Sequence, residues 1–534
     1  MIRKKQLFLS VISGVLLSLP WSSSSFSWTL FFAFVPLLMV EDQLVSQKQS
    51  QRSIVLFFYA IVTFLVWNVL STWWIAYVSL GGMILITGIN AFLMACVWWL
   101  MHLIRRRFAL PTGYFSWIVL WLTFEYLHFH WAIQWPWLTL GNGLANSVQL
   151  IQWYEFTGVL GGSLWVLLIN ILLFSLYKCF TQKRVNRSLQ LSALTVLLVA
   201  GPVCWSLHRY ATYTEKGKAV EIALLQPNIN PYSEKFSAIS SKVQTHRLIS
   251  LVQTIVTDST QYVLAPETAL ASMWEEENLK QNKALEAIDS LIIQYPKIRF
   301  VAGAITQKRL GANESISYTS RKTADGNPYE VFNSSLLMDQ SLQVQIGHKS
   351  ILVSGVEKMP FEQYFSFLGD NALQVGGISG SLSSANESTV FEGDHGDKIG
   401  SVICFESAFG EYVASAVKKG ASLIFIMTND SWWKDSPGIT QHFSFSRLRA
   451  IETRRSIARS ANTGISGFIN QRGDVLKKTE INSCIAILSR IQMNNEITFY
   501  VTYGDYLGRV SCYLSGLILI YLLIGYLRNR GDGL

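Results

Sequence analysis

Apolar positions along the chain follow two regimes. Up to about residue 207, and again near the end, they form long unbroken runs, whereas between them they come in short runs separated by polar or helical stretches. A helix needs roughly 20 mostly apolar residues to cross about 30 Å of hydrocarbon with every backbone group bonded internally. Runs of that kind stand at 6–22, 26–41, 54–71, 82–104, 113–130, 157–177, 190–207 and 509–527. They predict eight membrane spans in a polytopic helical bundle.

The middle of the chain reads differently. "VEIALLQPNI", "YVLAPET", "RFVAGAI", "VFNSSLLM", "IGSVICFES" and "SLIFIMTNDSWW" are short, almost continuously apolar and rich in β-branched residues, as in strands covered on both faces. Helical patterns at 239–257 and 278–294 lie between some of them. The alternation predicts an α/β domain with a partly parallel sheet. Polar residues collect where these strands stop: Gln226 and Asn228, Glu267, Asn333, Cys404 with Glu406, and Asn429 with Asp430. Ligands in open α/β sheets bind outside the carboxyl ends of strands, so such positions can converge on one cleft. Any strand-to-loop transition also produces polar residues.

Charge orients the path. Half of the 534 residues are hydrophobic and 15% are charged, with a formal net charge of +9. The cations cluster at Arg3-Lys4-Lys5, at Lys48 and Arg52, at Arg105-Arg106-Arg107, from Lys178 to Arg187, and at Arg528 and Arg530. All fall on one face of an eight-span path, which the positive-inside rule makes cytoplasmic. Both termini then face the cytoplasm and the soluble domain faces the other side. Arg3 to Lys5 ahead of an apolar run also resembles a secretory signal, but with six more spans following it reads as a retained anchor. The expected division is a bundle of seven spans at 1–207, an exported domain at 208–508, and an eighth span with its tail at 509–534.

Other signals are weaker. No basic stretch is interleaved with aromatics as a nucleic-acid strand would require. The six cysteines show no paired spacing and no CxxC, so no metal or cofactor is expected. Lys349 reads from its flanks as a loop lysine, and "FEQYFSFLGDNALQVGGISGS", with Phe361, Phe365 and Phe367, as an apolar flap over a site or a membrane surface. His348 and His442 read as ordinary hydrogen-bonded histidines. Arg447, Arg449, Arg454, Arg455 and Arg459 read as a helical stretch that pairs with carboxylates or faces solvent. Glu125, His128 and His130 in the fifth span raise an intramembrane path as a non-enzymatic alternative.

Together, "APETA" with Glu267, "GHKSILV" with Lys349 and "VICFES" with Cys404 resemble the Glu-Lys-Cys triad of the nitrilase superfamily, in its usual order. The spans around that domain, with "WPWLTLGN", "LLQPNINPYSEKF", "TNDSWW" and "QHFSFSRLRAIETRRSIARSANTGISGFINQRG", make the chain similar to the bacterial apolipoprotein N-acyltransferase family. The resemblance implies an αββα sandwich, with Cys404 as nucleophile, Glu267 as general base and Lys349 as the cation at the reacting carbonyl. Glu357, Glu406, Phe405 and Asn333 match supporting positions, and Phe236, Trp432 and Phe361 are candidate substrate contacts. It implies acyl transfer from a membrane phospholipid to the N-terminal amine of a diacylated lipoprotein, by a monomer in the bacterial inner membrane with its catalytic domain in the periplasm. The loop Leu352-Val353-Ser354-Gly355-Val356-Glu357-Lys358 departs from the family's usual Leu-Val-Pro-Phe-Gly-Glu-Tyr. A membrane-anchored amidase using the same triad on a small amide is the alternative chemistry.

Overall fold

The computed structural model describes residues 4–46, 53–108, 110–230, 241–281, 285–311, 313–341, 343–359, 374–375, 378–379, 381–393 and 396–531. The chain forms two compact units, one of residues 1–131, 135–212 and 503–534, the other of 132–134 and 213–502.

The first unit is helical. It contains α1 (Lys4–Ser22), α2 (Val35–Ser46), α3 (Ser53–Thr72), α4 (Leu80–Arg107), α5 (Leu110–His130), α6 (Tyr154–Thr181), α7 (Val185–Thr212) and a last helix at Tyr506–Gly531. Six helical segments among the described residues are long and apolar enough to cross a membrane: Ser25–Val45, Ser53–Tyr77, Leu80–Arg107, Tyr154–Thr181, Val185–Thr212 and Tyr506–Ile524. Serines and Gln6 dilute α1, and Glu125, His128 and His130 dilute α5.

The second predicted run is not one helix. A 3-10 turn at Ser24–Phe31 precedes α2, and the break between them would strand backbone groups in an apolar setting. Asn170 of α6 bonds them instead, its Nδ2 donating to Leu30 O at 2.7 Å and its Oδ1 accepting from Phe34 N at 2.8 Å. Arg105 is not a free anchor either. It is buried and ion-paired with Glu41 and Asp42, and Lys178 donates to Asp42 at 2.7 Å. Glu125 accepts from Leu140 N at 2.9 Å and Trp121 Nε1 at 3.0 Å, while His128 Nε2 lies 2.9 Å from Asn90 Oδ1. These bonds fix the loop after α5 and tie α5 to α4.

Among the described residues the second unit holds two large sheets and a two-stranded one of Gln374–Val375 with Ile378–Ser379. Its strands are β1 (Lys218–Gln226), β2 (Thr260–Leu264), β3 (Leu270–Glu275), β4 (Arg299–Arg309), β5 (Arg321–Lys322), β6 (Pro328–Met338), β7 (Val344–His348), β8 (Gln374–Val375), β9 (Ile378–Ser379), β10 (Thr389–Glu392), β11 (Lys398–Ile403), β12 (Leu423–Thr428), β13 (Ile457–Ala461), β14 (Gly467–Ile469), β15 (Val475–Lys478) and β16 (Ile485–Met493). One large sheet runs β16-β1-β2-β4-β6-β5, with β3 beside β4 and β7 beside β6; the other runs β10 to β15 in chain order. Parallel pairs sit at the centre of each (β1 with β2, β2 with β4; β11 with β12, β12 with β13) and antiparallel strands at the edges.

Alternation explains the layering. Val220, Ile222 and Leu224 of β1 pack with Leu423, Phe425 and Met427 of β12 in a core between the two sheets. Ala223 and Leu225 face the opposite way, with Leu248 and Val252 of the helix Ser241–Gln253 and Ile288 of the helix Glu286–Gln294. Ile424 and Ile426 meet Val413 and Val417 of the helix Gly410–Lys418 and Phe443 of the helix Pro437–Thr453. Both faces of each large sheet are therefore covered, giving an αββα sandwich and the continuous apolar runs of the sequence.

Candidate active site

Three strand ends supply the central side chains. Past β2, Ala265 N donates to Val301 O at 2.8 Å and Gly303 N to Pro266 O at 3.1 Å, which seats Glu267 beside the middle of β4, where β2 has ended. Gly303 has to be glycine, because a Cβ there would lie 2.6 Å from the Glu267 Cα. Lys349 directly follows β7, its N–H donating to Asn333 O at 2.8 Å. Cys404 follows β11 with φ 52°, a left-handed conformation that costs a non-glycine residue energy and recurs at functional positions. Asn333 is not at a strand's carboxyl end: β6 runs antiparallel to β4, with Asn333 opposite Ile305, so its early residues reach the end of the sheet where Glu267 sits.

The buried centre is a four-group knot. Lys349, 1% exposed, donates from Nζ to Glu267 Oε1 at 3.1 Å and to Glu357 Oε1 at 2.8 Å. Asn333 Nδ2 donates to the same two oxygens, each at 2.8 Å. Val353 N–H takes the other Glu357 oxygen at 2.8 Å, so the altered loop keeps its glutamate in place without the proline. Burial alone would lower the Lys349 pKa, but the Glu267 and Glu357 carboxylates together hold it well above the ordinary lysine value. It is a permanent cation.

Cys404 is half-buried. Burial, then the negative charge of Glu267, push its thiol up, and Lys349 offsets only part of this. The resting group is therefore a neutral thiol. A neutral thiol needs a base at the moment of attack, and Glu267 is the carboxylate whose charge acts on it most strongly.

Glu406 braces the two loops. Its Oε1 accepts from Ser350 N at 2.6 Å and Ile351 N at 3.2 Å, and its Oε2 from Ile403 N at 2.7 Å. Burial pushes its pKa up to about 7 against the pull of the Ile403 and Ser350 N–H groups. With the folded value above 4.5, the native state binds the extra proton, so this group's contribution is greatest below pH 4.5 and falls as pH rises toward about 7. Glu406→Gln should abolish that slope in melting experiments. It should also cost about 1–3 kcal/mol, because its amide NH2 must face a backbone N–H. Phe405 is buried, edge-on to Phe409 with ring centroids 5.1 Å apart.

The strand-end residues do not all converge. Gln226 Nε2 donates to Glu480 O at 2.7 Å, and Asn228 Nδ2 to Asn482 O at 2.9 Å, so both tie loops together. Trp432 is half-buried, while its neighbour Trp433 lies edge-on to His442 at 5.4 Å. Phe236, Phe361, Phe365 and Phe367 lie outside the described residues. Of the two expected fates of the arginines, pairing with carboxylates holds for Arg449 and Arg459, but the helix stops at Thr453. Arg449 and Arg459 are fully buried against Glu452 and Asp430, Arg455 donates to Ala421 O at 2.8 Å and Glu496 O at 2.7 Å, and Arg459 stands on β13. His442, read as an ordinary histidine, lies 3.2 Å from the Cys404 carbonyl oxygen and 2.9 Å from Asp430. Spacing carries no sign of that contact, since 38 residues separate the partners.

This fold and site define a class. The carbon-nitrogen hydrolase family model matches residues 221–494, more than half of the chain, and the chain belongs to that family. Residues 13–172 match the model of the apolipoprotein N-acyltransferase N-terminal domain. The chain is 26% identical over 538 residues to the apolipoprotein N-acyltransferase of Chlorobaculum tepidum, covering 98% of this chain and 97% of that one. It is likewise 26% identical to the apolipoprotein N-acyltransferase of Geobacter metallireducens (94% and 92% covered) and 25% identical to that of Thermotoga maritima (99% and 96%).

Proposed function

We infer that this chain is a membrane acyltransferase that N-acylates lipoproteins, moving an acyl chain from a phospholipid to the N-terminal amine of a diacylglyceryl-cysteine. The observation that carries the chemistry is the buried Lys349 bridging Glu267 and Glu357, with its charge and that of Glu267 acting on the Cys404 thiol. Similarity extending through the helical unit favours lipid substrates over a small amide.

The proposed route is ping-pong. Cys404 Sγ attacks the phospholipid ester carbonyl as Glu267 takes the thiol proton, and Lys349 with the Phe405 N–H faces the oxyanion. Collapse breaks the ester C–O bond, and Glu267 returns the proton to the departing lysophospholipid hydroxyl. The lipoprotein amine then attacks the thioester, Glu267 removes its proton, and the amide forms as the thiolate leaves and is reprotonated. An α-amine of pKa near 8 is partly neutral at physiological pH, so the second attack needs no stronger base.

We place the protein in the inner membrane with all eight helices spanning, both termini cytoplasmic and the catalytic unit periplasmic, on the cation distribution. The test is phospholipid carrying a labelled acyl chain, supplied in vesicles with the purified protein and a diacylated lipopeptide. Label should appear as an amide on the lipopeptide; labelled free fatty acid with no amide would contradict the assignment.

A further inference from the structure

Cys404 has a second set of neighbours, on the side of its own carbonyl. Ser407 Oγ donates to Cys404 O at 2.7 Å, and His442 Nε2 stands 3.2 Å from that oxygen and 3.0 Å from Ser407 Oγ. The single hydroxyl proton of Ser407 is committed to the carbonyl. Nδ1 faces the Asp430 carboxylate and carries the proton of the neutral ring, burial and then the Arg459 charge holding the ring's pKa below the ordinary value. Ser407, wedged between Nε2 and the carbonyl, is therefore the donor to the Cys404 oxygen, and His442 keeps it there. The ring is held from behind, with Nδ1 2.9 Å from Asp430 Oδ1. Asp430 in turn accepts from Thr428 Oγ1 at 2.8 Å and Arg459 Nη2 at 2.6 Å. Gly464 packs so closely on Asp430 that a Cβ would lie 2.3 Å from its Oδ2. Ser407, Asp430, His442 and Arg459 are all fully buried.

A trans peptide is planar, and its C=O and N–H point in opposite directions. Fixing the Cys404 carbonyl toward Ser407 and His442 therefore aims the Phe405 N–H the other way. Phe405 is the second residue of the 3-10 turn Cys404–Ala408, where an N–H has no acceptor within its own turn and is free for a ligand. The left-handed φ of 52° at Cys404 is a conformation that would relax unless something outside it held the peptide.

We propose that Ser407 and His442, backed by Asp430 and Arg459, form a carbonyl clamp that orients the Cys404–Phe405 peptide so that its N–H meets the oxyanion of acyl transfer. These are positioning residues: they touch the peptide, not the substrate. The assignment rests on Cys404 being the nucleophile, as inferred above.

Two reactions of the same sulfur separate the clamp from a general structural role. Acylation by phospholipid passes through an oxyanion; alkylation by iodoacetamide is a displacement and does not. In the full-length protein, Ser407→Ala and His442→Ala should slow single-turnover acylation of Cys404 by labelled phospholipid roughly 10- to 100-fold, less than the roughly 10²–10³ of deleting an oxyanion donor because the N–H is misaimed and not removed. Alkylation should stay within about twofold of wild type, since it needs no such donor. His442→Gln, whose amide can still hold the Ser407 hydroxyl on that carbonyl, should recover part of the loss. Ser407→Ala removes a single oxygen, so the test survives if the histidine variants misfold. Acylation and alkylation falling together, or acylation unchanged, would overturn the clamp. Cys404→Ala reports on the underlying reading: if it still transfers acyl chains, the nucleophile is wrong, whereas an inactive Cys404→Ala beside an unaffected Ser407→Ala rejects only the clamp.

Discussion

Lys349→Met should abolish acyl transfer and destabilise the catalytic unit by about 3–5 kcal/mol, the cost of removing one partner from a buried charge pair. The reason is specific to this site. Glu267 Oε1 and Glu357 Oε1 both accept from the Asn333 amide and from Lys349. Without the ammonium, two carboxylates face each other in a buried site, and one must take up a proton. If Glu267 is the one protonated, the base is lost along with the oxyanion's cation, and a rate loss above about 10³ follows. In wild type the lysine pKa is raised in the folded state, so its stabilisation is fully present below pH 10.5 and is lost only as pH rises through the higher folded value. A denaturation series in detergent, with circular dichroism as readout, checks the stability; labelled-lipid transfer checks the rate.

Glu267→Gln should act on rate and leave the fold nearly intact. A glutamine oxygen can still accept from Asn333 and Lys349, and Glu357 still neutralises the lysine. What disappears is the proton acceptor, worth about 10²–10⁴ in rate. The same change should move the thiol the other way. Burial and then the negative charge of Glu267 raise the Cys404 pKa while Lys349 lowers it, so removing the carboxylate brings the thiol's pKa down although burial still opposes ionisation. At neutral pH, iodoacetamide should label Glu267→Gln faster than wild type although its acyl transfer collapses. Slower labelling together with slower transfer would mean that Glu267 holds the cysteine in place and is not its base.

Much of this site was legible because sheets repeat themselves. An apolar run that ends in a polar residue marks the place where a strand leaves the core, and Glu267 and Cys404 were found that way. Asn333 looked like a third such ending, yet it lies within β6 and reaches the same end of the sheet because that strand runs antiparallel. Nothing local distinguishes it. The carbonyl clamp was illegible for a related reason. His442 sits on a helix and Asp430 in a turn, and they meet behind Cys404 only after the helix Pro437–Thr453 packs on the second sheet. Arg449 and Arg459 do pair with carboxylates, Glu452 and Asp430, as one of the two readings had it; what the sequence hid is that the helix ends at Thr453, so that Arg459 makes its pair from β13.

In the helical unit, apolar runs located every helix but not their continuity. Hydropathy registers the run at 26–41 as uniform, while the chain breaks between Phe31 and Val35 and is held by a side chain of α6, well over a hundred residues away. The weak hydropathy of α1 and α5 has a structural counterpart: Ser13 Oγ and Glu125 spend their polarity on internal bonds, to Ala33 O at 2.5 Å and from Leu140 N at 2.9 Å.

The central claim is that one sulfur carries the acyl chain between two lipids. Incubating the purified protein with phospholipid and no acceptor, then measuring the mass of the peptide that contains residue 404, tests it directly. A fatty-acyl increment on that peptide, removed by hydroxylamine, discharged by adding a diacylated lipopeptide and absent in Cys404→Ala, is the predicted result. An unmodified Cys404 in protein that still transfers acyl chains to the lipopeptide would contradict it.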